Sequence, residues 1–592
     1  MILQALNEHY WRLLEQNEPS IAPPGYSLAD VSFVLVLSKD GTLLDVYPVE
    51  VEEIVPEHKK RSGVNPPPYF LCDKVLFSLG IGKDEKEGKK RFEQYRAHTL
   101  AILRDATGVE AQAVIKFLQS WNPMLWESVP CVAKYANEYS KPKTLNTVYK
   151  IEGMLEYVHN SPEIKSIWNL KNDEPLAGAV NGQCLITGEA GTIAKTHDVG
   201  ISGIGEKANA AVVSFNCDAF ESYGKSQSFN APVSQKAAFA YATALNYLIS
   251  NQTNRVRVAD TTMVFWADKK GGRLEESILA WSLDPVSTEA DDGDESRRID
   301  QATAMQAKTV LEQVKAGVPS GDAEIDPETR FYLLGLAPNA ARLSVRFWEV
   351  NSFGALLNRI ARHYGDMEIV GSERFGGFIP PWRILSSVAV QEKRENIPPL
   401  LGGQLLKAIL TGQLYPQALY NLALNRCRTG GDHGGVNTIR ASVIKAFMKR
   451  KARLQGNVQG EELVSVSLNE NHPSGAYQLG RLFSLLEKAQ KDALGGQINA
   501  TIRDRYFGAA SATPGAVFPL LMRLSRHHVA KSDYGANMER KIQDVVNRLD
   551  AFPAHLNLDE QGQFILGYYH QNQANYQKND NSAKETNEVK EG

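Results

Sequence analysis

Lysine and arginine gather in two stretches of a 592-residue chain whose formal net charge is only −3. The first runs through Lys59, Lys60, Arg61, Lys74, Lys83, Lys86, Lys89, Lys90 and Arg91, interleaved with Asn65, Tyr69 and Phe70. Cations at this density can neutralise phosphates, while an amide or a ring among them can read a base edge or stack on a base. The second stretch, 426–455, sets Arg426, Arg428, Arg440, Lys445, Lys449, Arg450, Lys451 and Arg453 against a single acid, Asp432. Ile439, Val443 and Phe447 give it an apolar stripe at helical spacing, so its cations are expected to project elsewhere and track a phosphate backbone. The rival reading of both stretches is a solvated charged surface.

Catalytic patterns are missing where they would be sought. GISGIG (200–205) and GVPSG (317–321) do not match the G-x-S-x-G elbow, and GISGIG fails the dinucleotide fingerprint because position 208 is Ala208. TGEAGT (187–192) lacks the Gly-Lys-Ser/Thr of a phosphate loop. His527-His528 and Asp432-His433 have neither helical zinc spacing nor a carboxylate set beside them. Asp291-Asp292 and Glu52-Glu53 have no apolar surroundings that would raise a carboxyl pKa. Catalytic residues, a metal and a cofactor are therefore not expected.

Several elements must position the basic stretches. Ile2, Leu6, Tyr10 and Leu13 predict a packing helix over residues 2–14. VSFVLVLS (31–38) and TLLDVYPV (42–49) predict a hairpin turning at Lys39-Asp40-Gly41. The three prolines of EHKKRSGVNPPPYFLCDK (57–74) favour an ordered, extended surface loop, and helical sequence follows through 100–160. AVVSFN (210–216), TTMVFWA (261–267) and LSVRFWEV (343–350) predict strands, and SQKAAFAYATALNYLIS predicts a helix. Residues 285–298 are expected to be a flexible connection, and QKNDNSAKETNEVKEG a disordered tail. Beyond Pro398-Pro399 the pattern is almost wholly helical, with stripes at Leu479, Leu482, Phe483 and Leu486 and at Ile542, Val545, Val546 and Leu549.

Composition bounds the class. The chain is 43% hydrophobic and 22% charged, as soluble globular proteins are, and no apolar run is long enough to cross a bilayer. The N-terminus lacks signal-peptide features, which makes the cytoplasm the expected compartment. Cys72, Cys131, Cys184, Cys217 and Cys427 are scattered and form no C-x-x-C pair, so neither a disulfide framework nor a zinc knuckle is expected.

MILQAL, IAPPGY and RSGVNPPPYFLCDKVLFSLG at the start resemble the large-subunit family of type I-C CRISPR surveillance complexes (Cascade). The likeness continues through CLITGEAGTIAKTHDVGISGIGEKANAAVVSFNCDAFESYGKSQSFNAPVSQKAAFAYATALNYLI (184–249), LGLAPNAARLSVRFW (334–348) and GGQLLKAILTGQLYPQAL (402–419). It reaches the end through AYQLGRLFSLLEKAQ, INATIRDRYFGAASATPGAVFP and FPAHLNLDEQGQFILGYYHQNQA. Pro67-Pro68 and Cys72 depart from the family, which commonly has polar or small residues and Trp or Val there. The resemblance implies assembly with a guide RNA, backbone and guide-end subunits, and binding of double-stranded target DNA. It also implies a small subunit translated from within the same gene, and a helicase–nuclease recruited in trans. In RNA-guided systems of this kind base pairing reads the target, while protein reads a short flanking motif and holds the displaced strand.

Together these readings predict an α+β chain: a mixed N-terminal region with small β-sheets (1–395) for flanking-motif recognition, a basic helical connector (396–465), an all-helical C-terminal bundle (466–576) and a tail (577–592). Arg61, Ser62, Asn65, Tyr69 and Lys74 are expected at the flanking-motif duplex, with Asn65 reading a base edge. Lys59, Lys60, Lys89, Lys90, Arg91, Arg440, Lys445, Lys449, Arg450 and Lys451 are expected on phosphates, and Arg503, Arg505 and Arg526 along the displaced strand. The rival functions are a metal-dependent nuclease and an RNA-binding scaffold without a DNA role.

Overall fold

The computed structural model describes the chain except for residues 60, 62–64, 83, 140–144, 174–178, 206–209, 216, 286–300, 319–324, 430–433, 496–499, 533–534 and 577–592. The expected connection at 285–298, the expected tail and Asp432-His433 thus lie wholly or almost wholly outside the described residues. The fold is α+β, with small sheets in the N-terminal half and helices towards the C-terminus. It divides into two compact units, Met1–Ser250 with Asn339–Leu343, and Asn251–Pro338 with Ser344–Gly592.

In the first unit the expected hairpin forms from β1 (Tyr26–Leu37) and β2 (Leu43–Pro56), paired antiparallel. Its turn needs Gly41, whose φ is +81° and where a β-carbon would strike Lys116 and Phe117 of the helix Val109–Ser120. Two strands that the sequence reading missed complete the sheet. β3 (Asp73–Lys74) pairs antiparallel with β4 (Asn146–Ile151), and β4 runs parallel to β1, giving the order β2-β1-β4-β3. Phe33, Leu35 and Leu37 meet Phe92, Tyr95, Phe117 and Tyr149 in the core beneath the helices Glu85–Ile102 and Val109–Ser120. The N-terminal helix Ile2–Glu15 packs on Gln235–Ser250, with Tyr10 edge-on to Phe239 at 5.8 Å. A short ribbon, β5 (Asn181–Gln183) with β6 (Ala190–Thr192), precedes that helix. AVVSFN does not become a strand: Ala210 and Ala211 make isolated bridges to Ile201 and Arg342 only.

The second unit contains β7 (Arg255–Val258), β8 (Thr261–Ala267), β9 (Arg330–Asn339) and β10 (Arg342–Ser352), in the order β10-β9-β8-β7. TTMVFWA is buried at every residue, and LSVRFWEV lies within β10, as expected. One continuous core runs from Val256 to Tyr569. The two units part at Ser250, and within the second the sheet, the basic helical segment and the bundle share that core.

The bundle consists of the helices Gly475–Leu494, Ile502–Ala510, Pro514–Lys531, Gly535–Val546 and Leu558–Tyr576. Both predicted stripes point inwards, with Leu479, Leu482, Phe483, Leu486, Ile542 and Val545 buried and Phe483 ringed by Phe507, Phe518, Phe564 and Tyr568. The first and last of these helices cross backbone to backbone. A β-carbon on Gly480 would fall on the Phe564 carbonyl, and one on Gly567 on the Tyr477 carbonyl.

Candidate nucleic-acid interface

The loop after β2 is built around a buried carboxylate. Asp73, fully buried in β3, accepts two hydrogen bonds from the Arg61 guanidinium and one each from the Tyr69 and Lys74 backbone N–H groups. Arg61 in turn lies 3.5 Å from the Tyr69 ring centroid and 4.3 Å from that of Phe77. The Tyr69 hydroxyl donates to the Lys59 carbonyl at 2.6 Å, and its ring stacks on His58 at 4.1 Å. Burial lowers the His58 pKa to about 4, leaving a neutral ring that bonds the Cys72 carbonyl at 2.9 Å. Burial also raises the Asp73 carboxyl pKa, in opposition to Arg61.

This clamp changes what several expected contacts can do. Arg61 and Tyr69 are engaged in the loop's own structure, with the Arg61 guanidinium bonded twice to Asp73 and stacked on Tyr69 beside the position of Asn65. The expected place of Arg91 on a phosphate is corrected, since it is buried against Glu87 (3.3 Å) and Gln94 (3.3 Å). Asn65, Lys59, Lys74, Lys89 and Lys90 are exposed on the same loop and the following helix, and Lys90 donates to Asn65 Oδ1 at 2.9 Å. Lys60 and Ser62 lie outside the described residues. The sequence reading missed Asp73 and His58, although the adjoining Arg61 and Tyr69 were singled out. A lone acid close after a run of cations and prolines was the available signal.

The second basic stretch departs further from expectation. The helix Thr438–Leu454 carries the expected apolar stripe but is packed on several sides, by Phe353–Met367, Pro381–Val388, Gln417–Arg428, Val458–Leu463 and Leu558–Tyr576. Arg440, Lys445 and Arg450 are buried, correcting the expected phosphate-tracking face. Arg440 donates to the Ser387 and Gly435 carbonyls, each at 2.7 Å, and to Glu392 at 2.8 Å. Arg450 reaches Asp366 (3.0 Å) and the Ala408 carbonyl (3.0 Å), and its guanidinium carbon is 3.9 Å from the Tyr415 ring centroid. Arg453 pairs with the same buried Asp366 at 2.6 Å. Lys451 pairs with Asp559 at 2.7 Å, and Lys449 is half-buried.

Lys445 donates to the Asp366 carbonyl at 3.0 Å, and burial pushes its pKa down to about 8. The folded state therefore holds this proton less tightly than the unfolded chain does. The buried ammonium costs stability at all pH values below about 8, and the cost fades as pH rises towards the ordinary lysine range. Lys445→Met is expected to raise stability by on the order of 1 kcal/mol at pH 7 and to lose that advantage on alkalinisation. Urea melts across this pH range test it; a stability difference between variant and wild type that stays the same from pH 7 up into the ordinary lysine range contradicts the assignment.

In the bundle, Arg505 and Arg526 are exposed, while Arg503 is half-buried with its guanidinium lying against Gly435. Among the described residues no group of three or more His, Cys, Asp or Glu could hold a metal ion, and no helix is long and apolar enough to cross a membrane. A family model described as CRISPR-associated protein (Cas_Csd1) matches residues 6–576. No curated protein matches the chain.

Proposed function

Because the chain belongs to this CRISPR-associated family, the large subunit of type I-C Cascade, we propose that its N-terminal loop reads the motif flanking a DNA target. The observation that carries the reading is Asn65, held by Lys90 at an exposed point of an anchored loop and flanked by exposed lysines. Because Lys90 occupies the amide oxygen, the amide nitrogen is the group left to donate, which suits an acceptor on a base edge in the major groove. Lys59, Lys74, Lys89 and Lys90 would neutralise phosphates around it, fixing position without reading sequence.

In this reading the chain is not itself catalytic and works in the cytoplasm. With the guide RNA, backbone and guide-end subunits it opens the duplex, holds the displaced strand and helps recruit a separate helicase–nuclease. Asn65→Ala, tested in the assembled complex on duplexes with and without a flanking motif, is expected to lose about 1–3 kcal/mol of discrimination. Lys74→Ala with Lys89→Ala, which leaves the Lys90 bond to Asn65 in place, should instead weaken all duplexes and flatten the salt dependence by about 0.9 per lost phosphate. Equal weakening of every duplex by Asn65→Ala would remove the base-reading role.

A second product of the gene is part of the same reading. It begins near Val466, after LQGNVQGEE (454–462), and contributes Arg503, Arg505 and Arg526 to the displaced strand's path. Ser474, which caps the helix Gly475–Leu494 by accepting from the Tyr477 N–H, gives such a product an intact first helix. Met448 as the start would cut the helix Thr438–Leu454 instead. Intact-mass measurement of complex made from the native gene tests this, and the absence of a C-terminal fragment rules it out.

A further inference from the structure

Arg440 does more than fill space beneath the surface. Its bonds to Ser387 and Glu392 tie the end of the helix Pro381–Val388 to the turn that follows it. In that turn Gln391 and Glu392 both have positive φ, +57° and +56°, an uncommon conformation for residues with side chains, and the chain doubles back there. Arg394 is thereby brought over the Trp382 ring at 5.3 Å. Arg383 lies 5.3 Å from the same ring and 5.6 Å from Phe375, and Arg374 lies 4.8 Å from Phe375. Arg374 is held from below by donating to Thr438 Oγ1 at 2.9 Å.

Three guanidinium groups and two half-buried rings thus form one patch within the second unit, with Arg374 and Arg394 exposed. Of the three carboxylates in 373–396, Glu392 is taken by Arg440 and Glu395 lies 3.9 Å from Lys393, leaving Glu373 at the patch's edge. Planar guanidinium forks suit phosphate, and ring faces suit bases that are not already stacked in a duplex. The carboxylates of an acidic peptide would satisfy the cations, but only a polynucleotide brings a ring with every charge to lie against Trp382 and Phe375. We infer that the patch of Arg374, Phe375, Trp382, Arg383 and Arg394 is a binding site for a single-stranded polynucleotide, phosphates on the arginines and bases against the rings. The inference deepens the reading given above by naming a surface for unpaired strand that lies apart from the flanking-motif loop.

The test is fluorescence anisotropy of labelled oligothymidylate and oligouridylate with the purified full chain, the two probes separating DNA from RNA as the source. Arg383→Gln with Arg394→Gln is expected to weaken binding of the preferred probe about ten-fold or more and to reduce the salt slope by about 0.7 per lost contact. Trp382→Leu is expected to weaken it about five-fold or more with the slope unchanged. If the glutamine pair melts early, Arg383→Lys with Arg394→Lys keeps the charge while removing the planar forks, and should weaken binding with the slope retained. Lys116→Gln, at an exposed lysine of the first unit assigned to neither site, serves as the control and should leave both probes bound as before, while flanking-motif reading is scored separately by Asn65→Ala on duplexes. Wild-type affinity and slope in folded patch variants, no binding by the wild type, or loss of polyglutamate binding with oligonucleotide binding intact would each overturn the site.

Discussion

Asp366→Ala is expected to remove about 3–5 kcal/mol from the stability of the second unit, because it withdraws a buried carboxylate shared by two guanidinium groups. Asp366 is buried, Arg450 is buried beside it, and Arg453 is mostly so. Without the carboxylate, Arg450 keeps its bonds to the Ala408 and Gln413 carbonyls and its place over Tyr415, but loses its counter-charge. An uncompensated buried charge costs more than the ion pair contributes when intact. Arg450→Met in the same background should recover part of the loss, which a double-mutant cycle measures as coupling. A loss under about 1 kcal/mol for Asp366→Ala would show that water or a rearranged side chain replaces the carboxylate.

Asp73→Ala is expected to act on both stability and recognition. It deprives Arg61 of its partner and leaves the Tyr69 and Lys74 N–H groups without their acceptor, at a cost of about 3 kcal/mol. Recognition should fail differently from Asn65→Ala. Lys59, Lys74 and Lys89 remain, so affinity for duplexes in general persists, but a loop no longer anchored cannot hold Asn65 in register with a base edge. The expected outcome is a lower melting temperature together with loss of flanking-motif preference at near-normal overall affinity. Retention of that preference in a folded Asp73→Ala complex would detach base reading from the clamp.

What the sequence made legible follows from which interactions are local. The N-terminal hairpin, the buried strand TTMVFWA and the helix Gln235–Ser250 are announced by turn residues or by periodicity within a short window, and they form as expected. β4 was missed because its six residues pair with β1, more than a hundred positions earlier, and local sequence carries no mark of that partner. AVVSFN had the composition of a strand, but its pairing stops at isolated bridges, one of them from Ala211 to Arg342 at the start of β10. The cations of Thr438–Leu454 were misread for a physical reason. A stripe at Ile439, Val443 and Phe447 suggests one buried face, whereas this helix is packed on several, and its long side chains reach carbonyls and carboxylates contributed by distant helices. The arginine and aromatic patch was present in ERFGGFIPPWR (373–383), but Arg394 joins it only through the turn that Arg440 holds.

The crossing of Gly475–Leu494 with Leu558–Tyr576 bears on how this chain can vary over time. Gly480 and Gly567 each face the other helix's main chain, so no compensating change of side chain can make room for a larger residue at either position. A larger residue at one helix would have to be met by moving the opposite backbone, and with it Phe564, Tyr568 and the rings around Phe483. Drift in the bundle is therefore free to reshape its outer charges, including Arg505 and Arg526, while these two positions stay fixed as a pair, and variation that alters strand contacts can accumulate without disturbing the axis on which the bundle is assembled.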